Sequence, residues 1–244
     1  MATEQIVIAP LLVALVTAIL TLVVHQYARV QKVVSGLGGI AYVGAVALLV
    51  QEVRSGAGSH GVEGVLTYQL SDWAAPFGIT LVADALSVFM LALTAVVSLL
   101  ALVFSMRYIG EAGQRVSYHP LYHFMIVGVT GSFLTGDIFN LFVWFEVMLM
   151  SSYVLVVFYS GARHTKAALQ YVVLNLVGSA LMLLAIGGLY STTGTLNMAD
   201  MARRLADPAS FGITLAPVLG LSAVLFVVFA LKAGIVPFQW WVPS

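Results

Sequence analysis

Residues 135–153, TGDIFNLFVWFEVMLMSSY, place one carboxylate in the middle of a long apolar run. Glu146 lies nine residues after Asp137, or roughly 13 Å along a helix, which is too deep for its short side chain to reach the lipid headgroups. A second apolar run carries Lys232 in its interior. Because a charge at bilayer depth is costly unless it is paired or faces water, these two residues are candidate members of an ion pathway.

The composition predicts an integral membrane protein. Hydrophobic residues make up 61% of the 244 residues and charged residues only 8%, so the chain has too few polar groups to cover a soluble surface. Its formal net charge is zero and its charges are scattered, which argues against a nucleic-acid partner. The absence of cysteine excludes disulfides, iron–sulfur clusters and thiolate metal sites. The sequence has no nucleotide-binding loop or nucleophile arrangement, so we expect neither an enzyme nor a cofactor or metal site.

The apolar runs predict an all-α polytopic protein with about seven transmembrane helices, because each run has the length that a hydrocarbon core of ~30 Å requires. The first run lacks a basic start and a cleavage site, so it is interpreted as a retained helix. A hairpin or loop is expected at 54–78, and a short amphipathic helix capped by Asn197 is expected before Pro208. The predicted spans are 4–24, 30–53, 79–105, 119–136, 138–160, 166–190 and 213–241.

Basic residues set the predicted orientation, since they accumulate in cytoplasmic loops. The loops after spans 1, 3 and 5 contain Arg29, Lys32, Arg107, Arg115, Arg163 and Lys166. The loops after spans 2, 4 and 6 contain Arg54, Arg203 and Arg204. We therefore predict that the N-terminus lies outside the cell and that loop 54–78 is extracellular.

Glu146 and Lys232 suggest a proton-transfer mechanism. Close together, each would offset the desolvation of the other and both would stay ionised, whereas separation would drive proton transfer between them. Pro237 has no amide proton, so the Ala233 carbonyl is expected to lose its helical partner and the helix to break at Ala233, Gly234 and Pro237. The alternatives are a protonated Glu146 that hydrogen-bonds a neighbouring helix and a Lys232 that extends to the interface.

Several other polar residues are weaker candidates for a relay or an entrance. Asp137 suits either a helix cap or an ion entrance, and Asp84 suits either a structural or a functional role. His119 and His123 are candidate proton relays near neutral pH, whereas Lys166 either reaches the interface or joins the path. A stripe of small and polar residues on span 6 is interpreted mainly as a helix-packing face: Gln170, Asn175, Gly178 and Ser179.

Three motifs carry a family resemblance. They are residues 135–153 quoted above, Thr195-Leu196-Asn197-Met198-Ala199-Asp200, and Lys232-Ala233-Gly234. In this order they resemble the antiporter-like membrane subunits, which include proton-pumping subunits of respiratory complex I and large subunits of Mrp-type multisubunit sodium/proton antiporters. The version in this chain is most similar to the D subunit of the Mrp type, and the resemblance extends from about residue 72 onward.

The resemblance implies a prokaryotic plasma-membrane protein with fourteen transmembrane helices and two inverted five-helix repeats, each with a broken helix. It implies that Glu146 and Lys232 are the pair that moves protons. Residues 1–118 would hold helices 1–3 and the extracellular loop, and residues 119–244 would hold helices 4–7 of the first repeat. The eighth helix and the second repeat would lie beyond Ser244. Gln239 stands where complex I relatives often have histidine, so a relay through that position is in doubt.

Three functions follow from this resemblance and from the charges. The first is an antiporter subunit that exchanges protons for sodium and assembles with other membrane subunits in the lipid bilayer. The second is a proton-pumping subunit of complex I or of a membrane hydrogenase. The third is a membrane scaffold in which Glu146 and Lys232 serve only helix assembly.

Overall fold

A computed structural model describes residues 2–56, 58–59, 62–73, 75–110, 117–158 and 162–239. Within them, the side chains of 2–3, 162–165 and 167 are outside the description. Two predicted span ends, at 160 and 241, lie outside the described residues. The position of Arg115 and the side chain of Arg163 also lie outside them.

The described residues form mainly helices. In chain order these are α1 (Ala2–Gln5), α2 (Ala9–Val23), α3 (Ala28–Arg54), α4 (Ala85–Tyr108), α5 (Tyr118–Leu134), α6 (Ile138–Val156), α7 (Ala162–Thr193), α8 (Met198–Ala206) and α9 (Leu215–Lys232). A 3₁₀ turn, Ile6–Ile8, leads into α2.

Six of these elements are long and apolar enough to cross a membrane: Ile6–Val23, Ala28–Arg54, Ala85–Tyr108, Ile138–Val156, Ala168–Thr193 and Leu215–Lys232. The protein is therefore a multi-pass membrane protein. The remaining predicted span, 119–136, forms α5, whose 17 residues give a length of about 26 Å. The short helix α8 also forms as predicted, because the Asn197 side chain accepts a hydrogen bond from the Asp200 amide and caps its first turn.

Two small antiparallel sheets accompany the helices, mainly in the stretch 54–78 for which the sequence predicts a hairpin or loop. One pairs β1 (Gly58–Ser59) with β2 (Val62–Glu63), and the other pairs β3 (Leu66–Gln69) with β4 (Thr80–Ala83). The second sheet forms because alternate residues of its strands, including Leu66 and Leu81, pack into the core. Strand β4 occupies the predicted start of span 3, so that helix begins at Ala85 rather than at 79.

The helices pack around two buried apolar clusters. In the first, α2 packs against α3 and α5, and α3 packs against α4. In the second, α7 packs against α9, and α6 contributes Ile138. Helix α6 joins the two clusters because it packs against α5 on one side and α7 on the other.

Two glycines allow α5 and α6 to lie unusually close. A Cβ atom placed on Gly128 would lie 2.6 Å from the backbone nitrogen of Met148, and one placed on Gly131 would overlap the Trp144 ring. A helix pair joined through small residues gains van der Waals contact, which is the main attraction between helices in lipid. These glycines therefore set the position of α6, the helix that carries Glu146.

Two similar turns lie side by side at one end of the bundle. Before α6, the Asp137 amide donates to Thr135 Oγ1, and before α8 the Asn197 amide donates to Thr195 Oγ1. The turns pair through backbone hydrogen bonds of 3.0 Å from Ile138 to Leu196 and 2.9 Å from Met198 to Gly136. Strand β4 secures both, because the Thr80 carbonyl accepts from the Gly136 amide and its hydroxyl accepts from the Asn197 side chain.

A methyl group at Gly128 should weaken the α5–α6 contact. We expect Gly128→Ala to lower the free energy of unfolding by about 1–3 kcal/mol, the usual cost of overpacking, because the Met148 backbone cannot move aside easily. Thermal unfolding of the purified protein in detergent would measure the change. Gly44→Ala on α3 is the matched control, since a Cβ there meets no atom within 4 Å. Equal effects of the two substitutions would contradict this account of the contact.

Candidate functional site

Three helices bring Glu146, Ser179 and Lys232 together. Glu146 lies on α6, Ser179 lies on α7 and Lys232 is the last residue of α9. Ser179 is buried, whereas Glu146 and Lys232 are half-buried. The two charges identified from the sequence therefore share one site, although they are 86 positions apart in the chain (232 − 146).

The hydroxyl of Ser179 connects the two charged groups. Lys232 Nζ donates to Ser179 Oγ at 3.1 Å, and Ser179 Oγ donates a short hydrogen bond to Glu146 Oε1. An ammonium group can only donate and a carboxylate can only accept, so the hydroxyl proton must point to Glu146. Glu146 and Lys232 form no direct ion pair in the described part of the chain, and they are connected through Ser179. The ion pairs of the described residues join Asp200 to Arg203 and Arg204.

An aromatic ring also holds the lysine. The Lys232 ammonium lies 5.5 Å from the centroid of the Phe145 ring, and that ring packs edge-to-face against Phe229. A cation over an aromatic face is stabilised by about 0.5–2 kcal/mol, more when it is removed from water. A cleft of about 430 Å³ reaches the same lysine and is lined by residues of all three helices: Phe145, Met148, Leu149, Tyr171, Asn175, Phe229, Lys232 and Ala233.

Helix α9 ends at the lysine, at a glycine cap that precedes Pro237. Gly234 adopts a left-handed conformation with φ of +65°, and its amide bonds the Leu231 carbonyl at 3.1 Å. The Ile235 amide bonds the Ala230 carbonyl at 3.0 Å. These two bonds form a Schellman motif, which stops a helix at a glycine. The break therefore comes three residues before Pro237, and Lys232 lies in the last turn, where the helix dipole favours a positive charge.

The two aspartates lie away from this site and cap helices. Asp84 Oδ1 accepts from the Ser87 amide at 2.8 Å at the start of α4. Asp137 Oδ1 accepts from the Asn140 amide at 2.7 Å at the start of α6. Burial raises the pKa of Asp137, and hydrogen bonds from the Asn140 and Phe139 amides oppose that rise.

The other candidates also lie outside the site. His119 and His123 are buried on α5, and His123 Nε2 lies 2.7 Å from Ser35 Oγ of α3. Lys166 is exposed and has no hydrogen bond or ion pair with any described residue. It precedes Ser179 by 13 positions on α7, a distance of about 20 Å along the helix axis.

Ser179 is the residue whose role the sequence did not reveal. It belongs to the stripe interpreted as a packing face, and its neighbour Gly178 does serve packing, since a Cβ there would lie 3.0 Å from a methyl of Leu231. Serines are common in membrane helices, so the residue type alone gives no signal. The nearest signal is its place next to Gly178, where α7 and α9 can approach closely.

The described residues contain no group of three or more histidine, cysteine, aspartate or glutamate side chains that could hold a metal ion.

Comparisons with known proteins place this chain in a family. Residues 135–244 match the family described as "NADH:quinone oxidoreductase/Mrp antiporter, TM". The D subunit of the Na⁺/H⁺ antiporter of Alkalihalophilus pseudofirmus is 36% identical over 241 residues, which cover 98% of this chain and 46% of that protein. The chain belongs to the antiporter-like membrane subunits. A second relative, from Rhizobium meliloti and named as the D subunit of a "Probable K⁺/H⁺ antiporter", is 39% identical over 99% of this chain and 44% of its own length.

Solved structures share the fold of the antiporter-like chain. A chain of the Mrp complex from Dietzia sp. superposes with a TM-score of 0.82 at 26% identity, covering 99% of this chain and 43% of that one. A chain of the membrane-bound sulfane sulfur reductase, an archaeal respiratory membrane complex, gives a TM-score of 0.84 at 26% identity, with 98% and 47% covered. The chain thus spans about half the length of these relatives.

The helix-capping role of Asp137 can be separated from its negative charge. Asparagine caps helices as well as aspartate does, so we expect Asp137→Asn to keep the stability of the protein and Asp137→Ala to lose about 1 kcal/mol of it. Thermal unfolding of the purified protein would measure both effects. If Asp137→Asn destabilised the protein as much as Asp137→Ala, the negative charge and not the cap would be the stabilising feature.

Proposed function

We propose that this chain is a membrane subunit of a multisubunit Mrp-type cation/proton antiporter and that Glu146, Ser179 and Lys232 form a proton-transfer site in it. The observation that carries the proposal is the Ser179 hydroxyl, which lies between an amine and a carboxylate within the membrane-spanning bundle. Relatives named as D subunits of such antiporters match nearly the whole chain and support the assignment to this type of complex.

The hydroxyl allows a proton to move with little motion of heavy atoms. One N–H bond of the Lys232 ammonium breaks as its proton joins Ser179 Oγ, and the Ser179 O–H bond breaks as its proton joins Glu146. The products are a neutral amine, a neutral carboxylic acid and an unchanged serine. This step exchanges an ionised pair for a neutral pair, so the surrounding dielectric sets the direction: water favours the ionised pair and a dry site favours the neutral pair.

Hydration of the cleft beside Lys232 would then control the transfer. When water enters past Asn175 and Phe229, the ionised pair is favoured, and when the cleft closes, the proton moves to Glu146. Phe145 stabilises the ammonium form through its ring face, so it limits how readily the lysine gives up its proton. The basic loops place the Lys32 and Arg107 end of the bundle on the cytoplasmic side in this proposal, with the N-terminus outside.

The cation exchanged for protons is proposed to be sodium, as in the relative from Alkalihalophilus pseudofirmus, whose name specifies Na⁺. The relative from Rhizobium meliloti is named for K⁺ at similar identity, so potassium is the second candidate. Exchange measured in vesicles with each cation in turn would separate the two.

A redox-driven proton pump is the second candidate function, favoured by the superposition on the sulfane sulfur reductase chain. In such a complex the Glu146 site would do the same proton transfer, driven by electron transfer in other subunits. Purification of the native complex distinguishes the two. We expect several membrane subunits without flavin or iron–sulfur absorbance, whereas a cofactor-bearing peripheral arm would establish the pump.

Substitution of Ser179 tests the relay directly. Positioned proton-transfer groups contribute roughly 10²–10⁴-fold to rates, so we expect Ser179→Ala to slow exchange by at least about tenfold and Ser179→Thr to restore part of it. The level of assembled complex is measured for both variants, because Ser179→Ala also removes the hydrogen-bond partner that Glu146 and Lys232 share. Dye-reported exchange in vesicles, normalised to complex level, is the measurement. Wild-type exchange in Ser179→Ala would rule out the hydroxyl as a relay.

Substitution of the charged residues separates transport from a scaffold role. Lys232→Arg keeps the positive charge, but a guanidinium does not release its proton, so we expect assembly without exchange. Glu146→Gln keeps the shape and removes the proton acceptor, with the same expected result. If both variants assembled and exchanged ions like the wild type, the proton-transfer proposal would fail. If both failed to assemble, the scaffold interpretation would be favoured instead.

A further inference from the structure

A second polar line runs through the bundle on the side of α5 that faces α3. It consists of Gln31, Ser35 and Tyr42 on α3 and His119, His123 and Thr130 on α5, and we call it the α3–α5 seam. Ser35 Oγ lies 2.7 Å from His123 Nε2, and Tyr42 Oη lies 2.7 Å from Thr130 Oγ1. Both contacts join residues 88 positions apart, so the two helices run parallel and in register.

The same register extends to a third pair. His119 follows Gln31 by 88 positions, and both side chains are buried, with 1% and 0% of their surface exposed. Neither ring nitrogen of His119 has a hydrogen-bond partner among the described residues, and neither has Gln31 Oε1. Buried polar atoms are almost always hydrogen-bonded to protein or to water. Since protein does not satisfy these three, we infer that water does.

A cavity lies along the seam, beside the next turn of α3 and α5 after the Ser35–His123 contact. It has a volume of about 10 Å³, the lower limit of what one water molecule requires. Tyr42, Ser98, Tyr122 and His123 lie in its wall together with the apolar residues Ala14, Gly39, Leu99, Leu102 and Ile126. It therefore lies between the Ser35–His123 contact and the Tyr42–Thr130 contact. From His119 to Thr130 the seam covers 11 positions of α5, or about 16 Å, which is half of a hydrocarbon core.

The His119 end of the seam lies at the basic end of the bundle. Lys32, next to Gln31, donates to the Met106 carbonyl at 3.2 Å, and Arg107 follows at the end of α4. The titratable side chains around the two histidines are Lys32 and Tyr42 from α3 and Tyr118 and Tyr122 from α5. Tyr122 donates to the Ser98 carbonyl of α4, which fixes that ring beside the cavity.

We propose that the α3–α5 seam is a hydrated proton half-channel, open at the Lys32 end and separate from the Glu146 site. A neutral imidazole takes a proton on one ring nitrogen and releases the proton from the other, so His119 and His123 can pass protons between waters and hydroxyls. The line then continues through the cavity to the Tyr42–Thr130 pair. This inference rests on the proposed proton transport, because it adds an entrance on the opposite side of α6 from Ser179.

Two variants interrupt the seam without leaving unpaired polar atoms or large voids. Tyr42→Phe combined with Thr130→Val removes both partners of the inner hydroxyl pair at nearly constant volume, and His123→Gln keeps a polar contact to Ser35 while removing the second ring nitrogen. The matched control is Tyr108→Phe combined with Thr94→Val on α4, since Tyr108 is exposed and the Thr94 hydroxyl bonds only the Met90 carbonyl of its own helix.

Ion exchange by the full complex in vesicles is the first measurement. We expect each seam variant to slow exchange by about fivefold or more at normal complex levels, and the control to leave it unchanged. Hydroxyl-radical labelling of the wild-type complex is the second measurement, because radicals made from water mark side chains that touch water. Tyr122 should be labelled although only 5% of it is exposed, whereas Met182, with 0% exposed in the second apolar cluster, should not.

The two measurements keep the two proposals apart. Normal exchange in either seam variant, or a Tyr122 protected as well as Met182, would overturn the half-channel. Labelling of Tyr122 does not depend on Glu146, so it tests the hydration of the seam even if Glu146→Gln were to leave transport intact. Intact transport in Glu146→Gln would overturn the proposed function of the Glu146 site and not the hydration of the seam.

Discussion

The two hydrogen bonds of Ser179, to Lys232 and to Glu146, connect the charged groups that lie among the apolar helices of this protein. An ammonium and a carboxylate among apolar helices need partners, and one buried hydroxyl satisfies both. This contact joins α6, α7 and α9 at one point. Gly178 lets α9 approach α7 there, and the glycine cap of α9 ends the helix where the lysine meets Ser179.

The rest of the fold holds α6 in position for this contact. Its N-terminal end is secured by the Asp137 cap and by the paired turns that Thr80 of β4 joins together. Its flank is set by the close approach of Gly128 on α5. Helix α6 is therefore located by backbone contacts at one end and along one side, which leaves its other side free to carry Glu146 toward α7. Backbone contacts of this kind locate a helix more tightly than flexible side chains can.

The sequence revealed those features that depend on a single segment. Glu146 and Lys232 stand out because a charge in an apolar run is expensive whatever surrounds it. The sequence predicts a helix from residue 79, where strand β4 forms, because a short apolar run has no distinctive period. The cap formed by Asp84 marks the start of the helix at Ala85. The role of Ser179 was beyond prediction, since it arises where three helices distant in the chain converge. The sequence predicts a break at Ala233, Gly234 and Pro237, and the structure has a glycine cap at Gly234.

The charge balance of the site limits what it can do by itself. Transfer from Lys232 through Ser179 to Glu146 converts an ionised pair into a neutral pair and leaves the total charge of the three groups unchanged. Net transport therefore requires that one of these groups exchange a proton with water or with another site while the protonation state of the other group stays unchanged. The cleft beside Lys232 provides such access to the amine, whereas Glu146 does not line it. In the proposed mechanism the amine is therefore the group that loads and releases protons, and the carboxylate is the group that holds one in between.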